Sequence, residues 1–173
     1  MANYKIILNA ALFQAGWFAC VLGGDLWALA ALAAVWLLHY LFVSREPREW
    51  CMIFAFAAAG ISIDSLLFHA GTLLRSDNST AIPLWLMALW GIFPTTVHHC
   101  LGWLRERRGV TLLCGAIAVP LSYYGGAQLS QQIVFAEPVW QSLLLLGMIW
   151  ALWLRFMMRI ECHLWPTPEQ SRP

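Results

Sequence analysis

Apolar residues run along this chain in long stretches that short polar segments interrupt. A helix needs roughly 20 apolar residues to cross the hydrocarbon core of a bilayer, and each stretch is about that long. The separating segments hold glycine, proline or clustered charges, which begin or end helices. The pattern predicts an all-α membrane bundle of six transmembrane helices, at about 4–22, 26–43, 50–74, 82–104, 110–130 and 138–159. We expect these helices to form one domain over residues 1–160, with a short cytoplasmic tail at 161–173.

The basic residues indicate how the bundle is oriented. Lys and Arg in short loops stay on the cytoplasmic side of a membrane. If the N-terminus is cytoplasmic, nine of the 10 Lys and Arg residues lie on that side and only Arg75 lies outside. The sequence therefore predicts a multi-pass membrane protein with both termini in the cytoplasm.

Composition supports a membrane protein and removes several other classes. The chain is 61% hydrophobic and only 11% charged, against about 25% charged in a soluble domain. The five cysteines contain no C-x-x-C pair and give no disulfide or zinc-ribbon pattern. No nucleotide-binding loop or nucleophile turn occurs, and the basic residues read as a topology signal, so we expect no nucleic-acid partner. The sequence does not identify a cofactor, which stays unknown.

Asp64 is the one acidic residue that the pattern places deep inside a helix. It lies about 22 Å from the cytoplasmic start of its predicted helix at 1.5 Å per residue. An ionisable group at such depth is costly to insert and is by default a functional candidate. Its helix face carries the small residues Ala57, Gly60 and Gly71, which predicts that Asp64 points into the bundle. We name Asp64 as a candidate catalytic residue; the alternative is a buried acid that only ties helices together.

Counting depth along the other helices identifies candidate neighbours of Asp64. Trp90, Tyr123 and Tyr124 come to its level, and Gln14 lies somewhat deeper. Tyr124 and Gln128 form a four-residue pair on one face of a helix that Pro120 is expected to kink. The candidate substrate-binding residues are Asn9, Gln14, Trp90, Tyr123, Tyr124 and Gln128.

Histidines gather nearer the cytoplasmic surface. His98 and His99 lie about 9 Å from that end of their predicted helix, with His39 and Asn9 near the same level. Three imidazoles could hold a metal. Adjacent histidines diverge by about 100° on a helix, however, and joining them at one ion requires a distortion such as Pro94 could provide. We therefore expect no metal, name His39, His98 and His99 as the set that one would need, and keep His98 as a candidate catalytic residue beside Asp64.

Several motifs spread over the chain carry a resemblance to a known family. They are Leu8-Asn9, Phe13-Gln14-Ala15-Gly16-Trp17, Asp64-Ser65-Leu66-Leu67 with Gly71, Pro83-Leu84-Trp85, Leu89-Trp90, His98, Trp103-Leu104 and Pro120-Leu121-Ser122-Tyr123 with Gly126. The chain resembles an uncharacterised family of small six-helix bacterial inner-membrane proteins classed as a domain of unknown function. Members often show serine where this chain has His99.

The resemblance implies a link to lipids and no defined reaction. Members of the family are often encoded beside proteins similar to cyclopropane-fatty-acid synthase and to flavin amine oxidases. This context favours a lipid-linked role, in which the bundle binds or helps to modify fatty acyl chains, or anchors soluble lipid-modifying enzymes at the inner leaflet. Membrane lipids and such enzymes are the expected partners, and a homo-oligomer is open. The alternatives are a small proton-coupled transporter that uses Asp64 and a scaffold without chemistry.

Overall fold

The fold is built almost entirely from helices, which confirms the all-α class. The computed structural model describes residues 2–166. The α-helices are α1 (Ala2–Leu38), α2 (Pro47–His69), α3 (Leu84–Ile92), α4 (Arg108–Leu113), α5 (Val119–Ser130) and α6 (Val139–Leu164). Two short strands, β1 (Leu73–Arg75) and β2 (Ile133–Phe135), form an antiparallel pair that the sequence analysis missed.

Helix α1 is a hairpin of two antiparallel arms. Gly24 has φ 71° and ψ −172°, a backbone conformation that essentially only glycine adopts, and it kinks the helix there. The Lys5 ammonium donates a hydrogen bond to the carbonyl of Val43 at 2.7 Å, which brings the two ends of the segment together. The first arm (residues 2–23) and the second arm (residues 25–43) therefore lie side by side. They correspond to the first two predicted helices.

Four helical stretches of the described chain are long and apolar enough to cross a membrane, as a membrane protein requires. They are Asn3–Val43, Pro47–His69, Arg108–Ser130 and Val139–Leu164. A shorter apolar helix covers Leu84–Thr96. The count of four treats the α1 hairpin as one stretch, although its arms run in opposite directions.

The predicted helix at 82–104 is wrong in its second half. It is α-helical only over Leu84–Ile92, tightens to a 3₁₀-helix over Phe93–Thr96, and continues as turns to the 3₁₀-turn at Gly102–Leu104. Pro94 has no N–H to donate, and its ring clashes with the carbonyl four residues earlier, so a regular α-helix cannot pass through it.

Two other predicted helices also differ at their ends, and the one predicted at 50–74 begins earlier, at Pro47. The predicted helix at 50–74 ends at His69, because the chain turns at Gly71 (φ 74°) and enters β1. The last helix runs to Leu164, beyond the predicted end at 159. Residues 161–164 thus belong to the bundle, whereas the predicted tail beyond 166 lies outside the described residues.

Helices α4 and α5 form one continuous stretch through a π-helix at Cys114–Ala118. This stretch packs very closely against α6. A Cβ added at Gly147 would lie 2.7 Å from the carbonyl oxygen of Ala116, and one at Gly115 would lie 2.5 Å from the carbonyl oxygen of Trp150. Glycine at both positions is what permits this approach.

The bundle has two chemically different ends. We call the end that carries Lys5, Arg45, Arg105 and Arg155 the basic end, and the end that carries β1 and β2 the far end. At the far end, the Arg75 guanidinium donates a hydrogen bond to Asp77 at 2.9 Å, and this interaction lowers the pKa of the Asp77 carboxyl.

Candidate functional site

Asp64 lies between three helices with both carboxylate oxygens hydrogen-bonded. Trp90 of α3 donates its indole N–H to Oδ2 at 2.6 Å. The Tyr123 hydroxyl of α5 lies 2.9 Å from Oδ1 and 2.8 Å from Oδ2. Asp64 itself is 0% exposed. Of the neighbours that depth suggested, Trp90 and Tyr123 contact Asp64; its role as a reacting group stays a prediction.

The absence of a side chain at Gly60 allows the Trp90 contact. A Cβ at residue 60 would lie 2.0 Å from Cε3 of the Trp90 ring, so this indole lies directly on the backbone of α2. On its other side, Trp90 stacks on Trp150 of α6, with ring centroids 5.0 Å apart and an angle of 11° between the planes. Trp150 also meets the Tyr123 ring edge-on at 5.8 Å. Trp90 and Tyr123, which donate hydrogen bonds to Asp64, are therefore packed between α2 and α6.

An apolar groove runs beside these donors. Its volume is about 280 Å³. Its walls come from the first arm of α1, from α3 and the turns after it, from the α4–α5 stretch, from β2 and from α6. Trp90 and Tyr123 line it, and the Trp17 indole donates a hydrogen bond to the Ser122 hydroxyl at 3.1 Å, linking α1 to α5. From Cys114 to Gly126 the groove follows the α4–α5 stretch for about 18 Å at 1.5 Å per residue.

Asp64 does not line the groove, and of the six candidate binding residues only Trp90 and Tyr123 line it. Gln14, Tyr124 and Gln128 are exposed, and none of them is hydrogen-bonded to Asp64 within residues 2–166. Helical rotation is the cause, because each residue turns about 100° from its neighbour. On α1, Phe13 faces the groove and Gln14 does not. On α5, Tyr123 faces Asp64, whereas the Tyr124 ring packs toward the Phe135 ring with the centroids 6.1 Å apart. The candidate role of Asp64 is thus to hold Trp90 and Tyr123, which do line the groove.

At the basic end the histidines form two groups rather than one. His39 Nε2 lies 3.0 Å from Glu49 Oε1, and His99 Nε2 lies 2.8 Å from the same oxygen. His98 Nδ1 instead lies 2.7 Å from Glu161 Oε1. His98 and His99 diverge as adjacent residues should, so His39 and His99 meet at Glu49 and His98 does not join them.

Arg105 completes the second group by donating to Glu161 Oε1 at 3.2 Å. Glu161 is 0% exposed, and the Trp165 ring lies over His98 with the centroids 4.2 Å apart. His98 and Asp64 have different partners, so they belong to separate sites.

Sequence analysis missed both glutamates, although each had a signal. Glu49 was assigned to a loop, but it follows Pro47 in the first helical turn, where an acidic side chain is favourable. Glu161 was assigned to the tail, but it continues the helical spacing of Leu154, Met157 and Met158, which are buried. An acid on the apolar face of a helix is a recognisable pattern.

Asn9, a candidate binding residue, is hydrogen-bonded to the backbone of the broken segment after α3. Its Nδ2 donates to the Thr95 carbonyl at 3.1 Å, and its Oδ1 accepts from the Cys100 N–H at 3.3 Å. It is 0% exposed. The Asn9 amide thus satisfies backbone groups that the broken helix leaves free, and it fixes the segment that carries both adjacent histidines.

A basic cavity opens beside the second group. Its volume is about 720 Å³, and its charged and histidine wall residues are Arg105, Arg108, Arg155, Arg159 and His163 with one acid, Glu106. Arg155 also donates to the Arg105 carbonyl at 3.4 Å. Leu104 and Leu154 of the apolar groove directly precede Arg105 and Arg155 in the chain, so the groove and the basic cavity are neighbours.

Comparisons with known proteins identify the family and no activity. Neither the curated proteins nor the solved structures gave a match. One family does match, over residues 6–156, which include the Asp64 site, the apolar groove and both adjacent histidines. The chain belongs to the family described as "Protein of unknown function (DUF2878)".

Proposed function

We propose that this chain is a membrane protein that binds a fatty acyl chain of a membrane lipid in the apolar groove. The groove is the observation that carries the proposal. Its volume of about 280 Å³ is close to the lower end of the range for small-molecule sites, which is about 300 Å³. Its length of about 18 Å is close to the hydrocarbon thickness of one leaflet, which is about 15 Å.

The charged surroundings of the groove suit an anionic lipid. Positively charged side chains near a membrane surface attract phosphate-bearing headgroups. Because the basic cavity adjoins the groove at Leu104–Arg105 and Leu154–Arg155, one lipid could place its phosphate among the arginines and one chain against Trp90 and Tyr123.

The same proposal includes six crossings with the basic end in the cytoplasm of a bacterial cell. The two arms of α1 supply two crossings instead of one. The segment from Leu84 to Leu104, whose helices are too short to be counted as a span by themselves, supplies another. The basic end holds every Lys and Arg of the described chain except Arg75, as the positive-inside tendency requires. We infer that any soluble lipid-modifying partner would meet this face.

Lipid bound to purified protein tests the proposal. Ala118 is small, exposed and part of the groove wall, so Ala118→Trp should fill the groove without disturbing the core. Leu121→Trp is the matched control, because Leu121 is on the same helix, is 63% exposed and does not line the groove. Phospholipid per chain is measured by mass spectrometry after extensive detergent washing.

We expect wild type and Leu121→Trp to retain lipid and Ala118→Trp to lose it. Equal lipid in all three proteins, or none in folded wild type, would count against acyl binding. In that case a proton-coupled transporter becomes the next candidate. Proton uptake into vesicles that carry a pH gradient would then be compared for wild type and Asp64→Asn.

A separate experiment distinguishes binding from modification. The acyl composition of total lipid is compared in cells that carry wild type, Asp64→Asn or His98→Ala at matched protein levels. An acyl profile that changes with wild type and is lost in Asp64→Asn supports participation in lipid modification. Identical profiles limit the protein to binding or to anchoring other proteins.

A further inference from the structure

Three ligand-type side chains from three different segments meet at the basic end. His39 begins the π-helix His39–Val43 that ends the second arm of α1, Glu49 lies in the first turn of α2, and His99 lies in the broken segment after α3. One ligand atom from each of His39, Glu49 and His99 lies within 4.8 Å of the other two. The acyl-binding proposal makes no use of this group.

Two of the three separations in this group are close to those of ligands around one metal ion. Bonds of about 2.0–2.1 Å at a tetrahedral angle put neighbouring ligand atoms about 3.3 Å apart. The two histidine nitrogens lie 3.0 Å and 2.8 Å from Glu49 Oε1. The remaining separation, between the two histidines, is at most 4.8 Å, so shifts of up to about 1.5 Å would convert the hydrogen-bonded group into a three-ligand site.

The surroundings hold the three side chains in place. The Trp50 ring packs edge-on against His39, with the centroids 5.5 Å apart. Asn9 fixes the backbone on both sides of His99 through Thr95 and Cys100. His39 is 0% exposed and Glu49 is 1% exposed, whereas the His99 side chain keeps 13% exposure. Such rigidity lowers the cost of organising ligands, and the exposed edge of His99 gives an ion a way in.

We propose that His39, Glu49 and His99 bind one divalent transition-metal ion, with both Nε2 atoms and the Glu49 carboxylate as ligands. Two histidines and one carboxylate are a ligand set used for Zn²⁺ and for Fe²⁺. Each neutral histidine carries its proton on Nδ1 when Nε2 binds the metal, so the change from the hydrogen-bonded group is a change of tautomer. Three protein ligands leave at least one position of the ion open, as in catalytic rather than structural sites.

His98 provides the internal comparison. It is the neighbour of His99 in the chain, and their rings lie 5.3 Å apart, but its Nδ1 faces Glu161. A metal held by the proposed set needs His99 and does not need His98. The proposal is also independent of the acyl-binding function, because an empty groove would leave this site intact.

The test measures metal on full-length protein. Wild type, His99→Gln, Glu49→Gln and His98→Gln are purified, stripped with a chelator and checked for a single folded species by size-exclusion chromatography. Each is then titrated with Zn²⁺. Bound zinc is measured by elemental mass spectrometry after desalting, and thermal unfolding is recorded with and without Zn²⁺. An ion that binds only the folded chain raises its unfolding temperature.

We expect about one Zn²⁺ per wild-type chain, affinity at least about tenfold weaker in His99→Gln and Glu49→Gln, and near wild-type affinity in His98→Gln. If the variants fail to fold, Co²⁺ added to stripped wild type decides, since a four-coordinate site gives intense visible absorption bands and a hydrated ion does not. No zinc and no Co²⁺ bands with folded wild type would overturn the proposal. Equal affinity in all folded variants, or a loss in His98→Gln that matches His99→Gln, would overturn it too.

Discussion

The Trp90 ring lies directly on the backbone of Gly60, where even a Cβ atom would lie 2.0 Å from ring atom Cε3. This contact sets the distance between α2 and α3, and it aims the indole N–H at Asp64 one helical turn further along α2. The hydrogen bond between Asp64 and Trp90 therefore depends on the lack of a side chain at Gly60 as much as on the two bonded residues themselves.

Gly60→Ala should disrupt this part of the core. The added methyl group must displace Trp90, which loses its hydrogen bond to Asp64 and its stacking on Trp150. Overpacking costs about 1–3 kcal/mol, and leaving a buried acceptor short of a donor adds about 1–3 kcal/mol. Thermal unfolding in detergent measures the effect. Gly125→Ala is the control, because a Cβ there meets nothing within 4 Å, and we expect it to be neutral or slightly stabilising.

Tyr123→Phe tests the second donor to Asp64. The hydroxyl serves both carboxylate oxygens, so its removal should destabilise the folded protein by about 1–3 kcal/mol. The adjacent Tyr124 is 41% exposed, and Tyr124→Phe should change the free energy of unfolding by less than about 0.5 kcal/mol. Similar effects of the two substitutions would mean that the Tyr123–Asp64 contact contributes nothing specific.

A double-mutant cycle then asks whether Tyr123 and Asp64 act on each other. Residues in direct contact show coupling free energies of about 0.5–3 kcal/mol. In Asp64→Asn the amide retains one oxygen acceptor, so we expect Tyr123→Phe to cost less in that background than in wild type. Strict additivity of the two substitutions would contradict the direct contact.

Some parts of this arrangement were predictable from the sequence because they depend on one helix at a time. Helical rise placed Trp90 and Tyr123 at the level of Asp64, and both contact it. Depth does not give rotation between neighbouring helices, so Tyr124, Gln14 and Gln128 were expected at a site from which they point away. The Gly60–Trp90 contact is a property of two helices together, and a glycine in a membrane helix does not reveal which ring will lie on it.

The basic end also shows that contacts between helices cannot be predicted from one helix at a time. Pro94 signalled that its helix could distort, and the helix does break there, but His98 and His99 still diverge to different partners as adjacent residues do. The partners themselves, Glu49 and Glu161, were placed outside the helices because charged residues usually mark loops. Both helices extend further than charge alone indicates, and each glutamate is buried by contacts from other segments.

Gly147→Leu should prevent α6 from reaching the α4–α5 stretch. A Cβ at this position would meet the Ala116 carbonyl oxygen at 2.7 Å, and backbone cannot rotate aside as a side chain can. We expect a loss of at least about 1–3 kcal/mol and a lower yield of folded protein. Met148→Leu, at the neighbouring position that is 53% exposed, is the control and should behave like wild type. Normal yield and unfolding temperature for Gly147→Leu would show that the two helices are not packed at this point.

The six-crossing arrangement makes a specific prediction for the α1 hairpin. Asp25 follows the kink at Gly24, and Glu46 follows the second arm, so the two residues lie at opposite ends of the bundle. If the far end faces outward, Asp25→Cys in a chain whose five native cysteines are replaced by alanine should react with a membrane-impermeant maleimide on intact cells. Glu46→Cys should react only after the membrane is opened.

Asn78→Cys at the far end and Glu106→Cys at the basic end are the matched controls, because they should follow the same two patterns without depending on the hairpin. Equal labelling of Asp25→Cys and Glu46→Cys on intact cells, with both controls as expected, would mean that the two arms of α1 do not both cross the membrane. The reverse pattern in all four variants would keep the six crossings and invert the orientation.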